Sequence, residues 1–270
     1  MHPGLPPLTG RCSTVDNEIL LKDEPGRPVV RVGDLVYRKT GWWTPAVHAL
    51  LQHLEAAGFP YAPRVVGTDE QGREILTYIA GDSGGDGWAA VVPEAGLAAF
   101  ARLLRTYHDA VRTFKPPPAA AWAFTDGTPH EGETTCHNDF GPWNVVWRGG
   151  VPAGLLDWDF AGPGPAMDDV AYALEYAAPF RDDETALRWL RYDQAPDRRR
   201  RIAVFVEAYG LPTTAGLVDR VARRQRFDST RVRALAERGL EPQATWVAGG
   251  LLTELEARAT WTERHRALFE

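Results

Sequence analysis

The stretch Cys136-His137-Asn138-Asp139-Phe140-Gly141-Pro142-Trp143-Asn144, followed further on by Leu155-Leu156-Asp157-Trp158-Asp159, decides how this chain is read. It has the order His-x-Asp-x-x-x-x-Asn, with a further Asp thirteen residues beyond Asn144 after an apolar run. That spacing matches a kinase catalytic loop. Phosphoryl transfer asks for little covalent chemistry from a protein. It needs Mg²⁺ against the phosphates, a hydroxyl aimed at the γ-phosphorus, and charge stabilisation. One Asp for the hydroxyl, with an Asn and an Asp for the metal, is close to a minimal set.

The residues between these points predict a hairpin. Val145-Val146-Trp147 is rich in strand formers, Arg148-Gly149-Gly150 makes a turn, and Ala153-Gly154-Leu155-Leu156 returns. Such a hairpin brings Asp157 back beside Asn144, so that both can offer oxygen to one ion, as Mg²⁺ prefers. Strand alternation would put Asp159 on the face of Asp157. It is then either a second metal ligand, direct or through water, or a supporting or solvated loop residue.

His137 through Asn144, Leu156 through Gly164, and Asp168-Asp169-Val170-Ala171 resemble the aminoglycoside phosphotransferase family of small-molecule kinases. The resemblance is specific over about 135–174, looser over 29–81 and weak in the last third. It implies an α+β, protein-kinase-like fold: a small β-rich N-lobe over residues 1–80, a larger mainly helical C-lobe over 81–270, and the active site in the cleft between them. It implies Mg²⁺ and ATP (or GTP), and a small hydroxylated acceptor. By this resemblance Asp139 and His137 are the catalytic candidates, Asp139 to accept or orient the hydroxyl proton and His137 to hold the loop. Asn144, Asp157 and Asp159 are the metal candidates. Asp169 resembles the family's brace for the catalytic loop.

On the first lobe the resemblance favours Arg38 over Lys39 for the phosphates, since adjacent strand residues face opposite ways. The partner Glu expected on the following helix is missing, with Val47 and His48 in its place. Glu24-Pro25-Gly26-Arg27 is the one turn suited to cover phosphates. Thr77, Tyr78 and Ile79 have backbone groups placed to read an adenine edge. Trp42, Trp43 and Trp143 lie near the expected cleft. An inactive nucleotide-binding module is the alternative reading, motivated by the missing Glu and the poor phosphate loop.

With 270 residues the chain has ample length for a core, and 44% hydrophobic with 24% charged residues is ordinary for a soluble protein. A net charge of −6 argues against a general nucleic-acid binder. Cys12 and Cys136 are the only cysteines, and no apolar run is long enough to span a bilayer, so a reduced cytoplasmic protein is expected. Acidic residues follow the metal loop (Asp168, Asp169, Glu175, Asp182, Asp183, Glu184). On the acceptor side they would favour a cationic amino sugar; otherwise they are structural or begin helices.

Strands are expected over 18–21, 28–32, 35–39, 64–67 and 74–79. Thr44 is the expected N-cap of a helix before Gly58, and residues 81–87 read as a flexible break. Helices are expected through 97–114 and over 168–178, 184–192, 197–209, 214–237 and 245–268. Arg198 to Arg201 and Arg220 to Arg226 read as solvated helix faces.

Overall fold

The computed structural model describes residues 18–23, 27–125 and 127–270. Its first part has five strands, β1 (Glu18–Lys22), β2 (Val29–Val32), β3 (Leu35–Lys39), β4 (Val65–Thr68) and β5 (Arg73–Thr77), with α1 (Thr44–Ala56) between β3 and β4. They form one antiparallel sheet in the order β1-β2-β3-β5-β4. Val47, Leu50, Leu51 and Leu54 of α1 are buried at helical spacing and join Leu76 of β5 in the core. Thr44 proves to be the first residue of α1; its hydroxyl accepts the Gly41 N–H at 2.9 Å, so it secures the approach to the helix from inside it.

Helices dominate the remainder: α2 (Gly85–Val91), α3 (Glu94–Val111), α4 (Ala166–Ala177), α5 (Asp183–Trp189), α6 (Arg198–Tyr209), α7 (Leu217–Glu237), α8 (Gln243–Ala248) and α9 (Leu251–Arg264). Two short ladders interrupt them, β6 (Thr134–Cys136) with β9 (Gly162–Gly164), and β7 (Val145–Arg148) with β8 (Val151–Leu155). The β-rich beginning and helical remainder make an α+β fold. Leu97, Phe100, Leu104 and Tyr107 of α3 are fully buried, with Phe100 meeting Phe140 of the loop after β6 at 4.7 Å between ring centres.

Three expectations are corrected. Residues 81–87 are only partly a break, because α2 starts at Gly85. A Cβ on Gly87 would lie 2.0 Å from the Pro142 carbonyl oxygen, so glycine is what lets α2 press against the segment around Pro142. The helix expected over 245–268 is divided at Gly249-Gly250, where Gly250 has φ +95°. The arginines of α6 and α7 are not all solvated. Arg198 and Arg201 are each 5% exposed, and Arg201 donates to the carbonyls of Ala177, Val92 and Val91 at 2.6–2.7 Å, closing the ends of α4 and α2.

Candidate active site

β6 delivers the loop that begins at His137, and the first turn of α4 holds it. Asp169 is fully buried, and its oxygens accept the backbone N–H groups of His137 and Asn138, each at 2.7 Å. His108 Nε2 meets the same carboxylate at 3.1 Å, while His108 Nδ1 lies 2.7 Å from the Tyr209 hydroxyl. Burial alone would raise the Asp169 pKa, yet the hydrogen bond and charge supplied by His108 hold it below its ordinary value. Asn138 takes φ +67°, a left-handed conformation that Asn tolerates better than most residues, and Arg224 donates to its carbonyl at 2.8 Å. Asp169 is therefore the brace that the family resemblance implied.

His137 is sealed in. Its Nδ1 accepts the Asp139 N–H at 3.3 Å, so Nε2 is the donor to the Leu156 carbonyl at 3.0 Å. Leu156 N–H in turn donates to the Asn144 carbonyl at 2.7 Å. Burial pushes the His137 pKa down to about 4, which keeps the ring neutral in this bridging role.

The hairpin of β7 and β8 turns at Gly149 (φ +58°) and Gly150 (φ +79°), the double left-handed geometry of a type I′ turn. It pairs Val145 with Leu155, returning Asp157 to the side of Asn144. Asn144 Nδ2 donates to the Asp139 carbonyl at 2.9 Å and to Asp139 Oδ2 at 2.8 Å, while the Tyr172 hydroxyl donates to Asp139 Oδ1 at 2.5 Å. Burial, then the charge of Asp157, raises the Asp139 pKa to about 7.

With its amide nitrogen engaged, Asn144 has Oδ1 left to offer. Asp157, at φ +59°, is 35% exposed in its side chain and lines the same cavity. Burial and the neighbouring Asp159 charge raise its pKa, a crowding of negative charge that a cation relieves. Two hard oxygen donors, with phosphates and water completing the shell, fit Mg²⁺. Among the described residues no group of three His, Cys, Asp or Glu is placed to hold a metal.

Asp159 is placed otherwise. A short 3-10 turn, Trp158–Phe160, replaces strand alternation, and both Asp159 oxygens are taken, one by Arg27 at 2.7 Å and the other by Arg38. In this arrangement Asp159 anchors two arginines, the supporting role that the sequence left open beside a metal role. Arg27 closes the expected phosphate-covering turn, whose residues 24–26 lie outside the described residues.

Arg38 Nε donates to Glu74 Oε1 at 2.6 Å, and Nη1 lies 3.8 Å from Asp157. Glu74 stands directly opposite Arg38 in the β3–β5 register, and its other oxygen meets His48 Nε2 of α1 at 2.9 Å. The ion-pair partner missing from the helix is thus supplied by the neighbouring strand. Burial works against the Arg38 charge, but Asp159, Glu74 and Asp157 raise its pKa above the ordinary value.

Of the three candidate nucleotide-edge residues, Thr77 and Tyr78 have their N–H groups engaged by the carbonyls of Arg64 (3.0 Å) and Asp34 (2.8 Å). Their carbonyls and the Ile79 peptide are what this segment can present, and all three residues line the cavity. Only Trp143 of the three tryptophans lines it, within an aromatic cluster with Trp88, Tyr172 and Tyr176. The cavity measures about 800 Å³ and runs from the sheet past Asp139 to α7 and α9, within the range of ligand sites.

The acidic residues after the metal loop disperse. Asp168 pairs with Arg220 and Asp183 with Arg198, while Asp182 caps α5 through the Thr185 N–H. Glu175 alone of the six lines the cavity, and Arg181 (3.0 Å) and Arg258 (3.1 Å) both hold it.

Residues 118–204 match the model of the phosphotransferase enzyme family. With a kinase-like fold built around this loop and hairpin, the chain belongs to that family of aminoglycoside phosphotransferases and related small-molecule kinases. It is 34% identical to the Trifolitoxin immunity protein of Rhizobium leguminosarum bv. trifolii over 266 residues, covering 95% of this chain and 98% of that protein. The fold is shared with aminoglycoside 2'-phosphotransferase-IIIa in its GDP complex (TM-score 0.59, 16% identity, 90% and 93% of the two chains). It is also shared with an amicoumacin kinase in complex with AMP-PNP, Ca²⁺ and its ligand (TM-score 0.58, 12% identity, 91% and 89%).

Proposed function

We propose that the protein transfers the γ-phosphoryl group of ATP or GTP to a hydroxyl of a small molecule. The observation that carries this reading is Asp139, oriented on both oxygens by Asn144 and Tyr172 and facing the cavity beside Asp157. The acceptor hydroxyl oxygen attacks the γ-phosphorus, its proton passes to Asp139, and the bond to the β-phosphate oxygen breaks to release the nucleoside diphosphate. A carboxylate with a pKa near 7 is matched to that proton. Asn144 and Asp157 would hold Mg²⁺, which supplies charge neutralisation to the phosphates when bound. Arg38, set by Glu74 and Asp159, is the basic group for the phosphates, and Thr77 to Ile79 receive the base edge. We assign residues before about 80 to nucleotide binding and those after it to catalysis and acceptor binding.

The likeness to an immunity protein over nearly the whole chain supports an antibacterial compound as acceptor, disarmed by phosphorylation. Incubation with Mg²⁺, γ-labelled ATP or GTP and a panel of hydroxylated antibacterial compounds tests the reading. Label transfer that is lost in Asp139→Asn is expected. Nucleotide binding with no transfer to any acceptor favours the inactive-module alternative.

A further inference from the structure

The acceptor end of the cavity carries two buried polar groups that the protein itself leaves without a partner. Gln225 of α7 is 1% exposed, lines the cavity, and neither its Oε1 nor its Nε2 has a hydrogen-bond partner. Arg231, 6% exposed and six residues further along the same helix, also lines the cavity, and its Nη2 has none. Leaving a buried amide or guanidinium group unpaired is costly, so such groups are normally matched by something.

Arg231 is nonetheless held in place. Its guanidinium lies over the Phe124 ring at 3.8 Å, and Nη1 reaches Asp228 at 3.2 Å and the Asn138 carbonyl at 3.4 Å. Asp228 does not fully answer its charge, because Arg224 Nε shares the same carboxylate at 2.9 Å. Burial and the charge of Arg224 push the Arg231 pKa down to about 10, the shift of a cation short of negative partners. Glu175 on the same wall is already shared by Arg181 at 3.0 Å and Arg258 at 3.1 Å. A polycation would find no free carboxylate here beyond the catalytic pair.

We infer that Gln225 and Arg231 form an acceptor-recognition subsite for an anionic, amide-bearing hydroxyl compound, of the chemical class of an N-acylated hydroxy-amino acid. Gln225 reads the amide, since a side-chain amide donates and accepts as a secondary amide does. Arg231 Nη2 takes the carboxylate. Its contact with the residue preceding Asp139 puts that carboxylate close to the hydroxyl to be phosphorylated. Trp143, Tyr172 and Tyr176 supply an aromatic wall for the acyl group. The assignment rests on the phosphotransfer reading for the identity of this end as the acceptor side.

Calorimetric titration with N-benzoyl-L-threonine, its uncharged methyl ester and kanamycin, in the absence of nucleotide, tests the subsite. The acid is expected to bind at least tenfold tighter than the ester, and kanamycin more weakly than either. Arg231→Gln should bring the acid-to-ester ratio close to one. Gln225→Met removes both the donor and the acceptor and should weaken acid and ester alike, by at least about fivefold. If Arg231→Gln does not fold, Arg231→Lys keeps the charge without the fork and should lower the ratio while leaving it above one. Tighter binding of kanamycin than of the acid overturns the inference. So does a ratio indifferent to position 231, or an affinity indifferent to Gln225→Met. A parallel titration of wild type with Mg²⁺ and ATP separates the two ideas: no nucleotide binding defeats the phosphotransfer reading, while the acid-to-ester ratio judges the subsite alone.

Discussion

The catalytic loop and the α7 wall sit on one cavity yet are finished to different degrees. In the loop, both oxygens of Asp139 and of Asp169 and both ring nitrogens of His137 have protein partners. On α7, Gln225 and one nitrogen of Arg231 have none. The loop is held by hydrogen bonds from within the protein, which set the geometry of Asp139. The wall is left to be completed by what binds. On the proposed reading, chemistry and specificity are carried by different parts of the helical region, so that each can be broken without the other.

The sharpest break is at Asp139. Asp139→Asn keeps the shape and the Tyr172 contact region but cannot take the proton, and transfer should fall by about a thousandfold or more with nucleotide affinity nearly unchanged. Retained turnover would remove Asp139 from its role. Next comes the brace. Asp169→Ala leaves two backbone N–H groups and His108 unanswered in a buried site, so urea unfolding should show a loss of about 3 kcal/mol. Removing Gln225 should cost almost nothing in that assay, and a large loss there would erase the contrast between loop and wall.

Acid sharpens the comparison further. His137 has a folded pKa of about 4, against about 6.5 when unfolded, so the unfolded chain takes up the proton more readily. Its contribution is therefore full above about pH 6.5 and declines as pH falls toward 4, by about 2 kcal/mol at pH 5. Urea midpoints at pH 7 and pH 5 should show this decline, and His137→Gln should flatten it. The smallest effect is expected on the sheet. Glu74→Gln releases Arg38 from its strand partner and should weaken nucleotide binding by about tenfold, or 1.4 kcal/mol, in a titration with Mg²⁺ and ATP. An unchanged affinity would show that Arg38 is set by Asp159 alone.

The loop and hairpin were legible in the sequence because their geometry is local. The turn glycines, the Asp139-to-Asn144 spacing and the return to Asp157 all lie within twenty-two residues of one another, from His137 to Trp158. Glu74 was hidden because it meets Arg38 only through strand register, thirty-six residues away. The buried arginines were misread because charge was weighed above position: Arg198, Arg201, Ile202 and Phe205 share one helical face, and the last two are plainly apolar. Arg224, which stands three residues after the buried Val221, follows the same rule. Helix α2 was obscured by its glycines, of which Gly87 serves close packing against Pro142. The role of Asp159 depended on which partners the fold brings to it, Arg27 and Arg38, and neither is near in sequence.

The most direct test of the account is the dependence of ATP affinity on Mg²⁺ in wild type and in Asp157→Asn, measured by calorimetry. If Asn144 and Asp157 hold the metal against the phosphates, Mg²⁺ should tighten ATP binding to the wild type by at least about tenfold, and Asp157→Asn should lose most of that gain. An ATP affinity indifferent to Mg²⁺, or a gain that survives intact in Asp157→Asn, would contradict it.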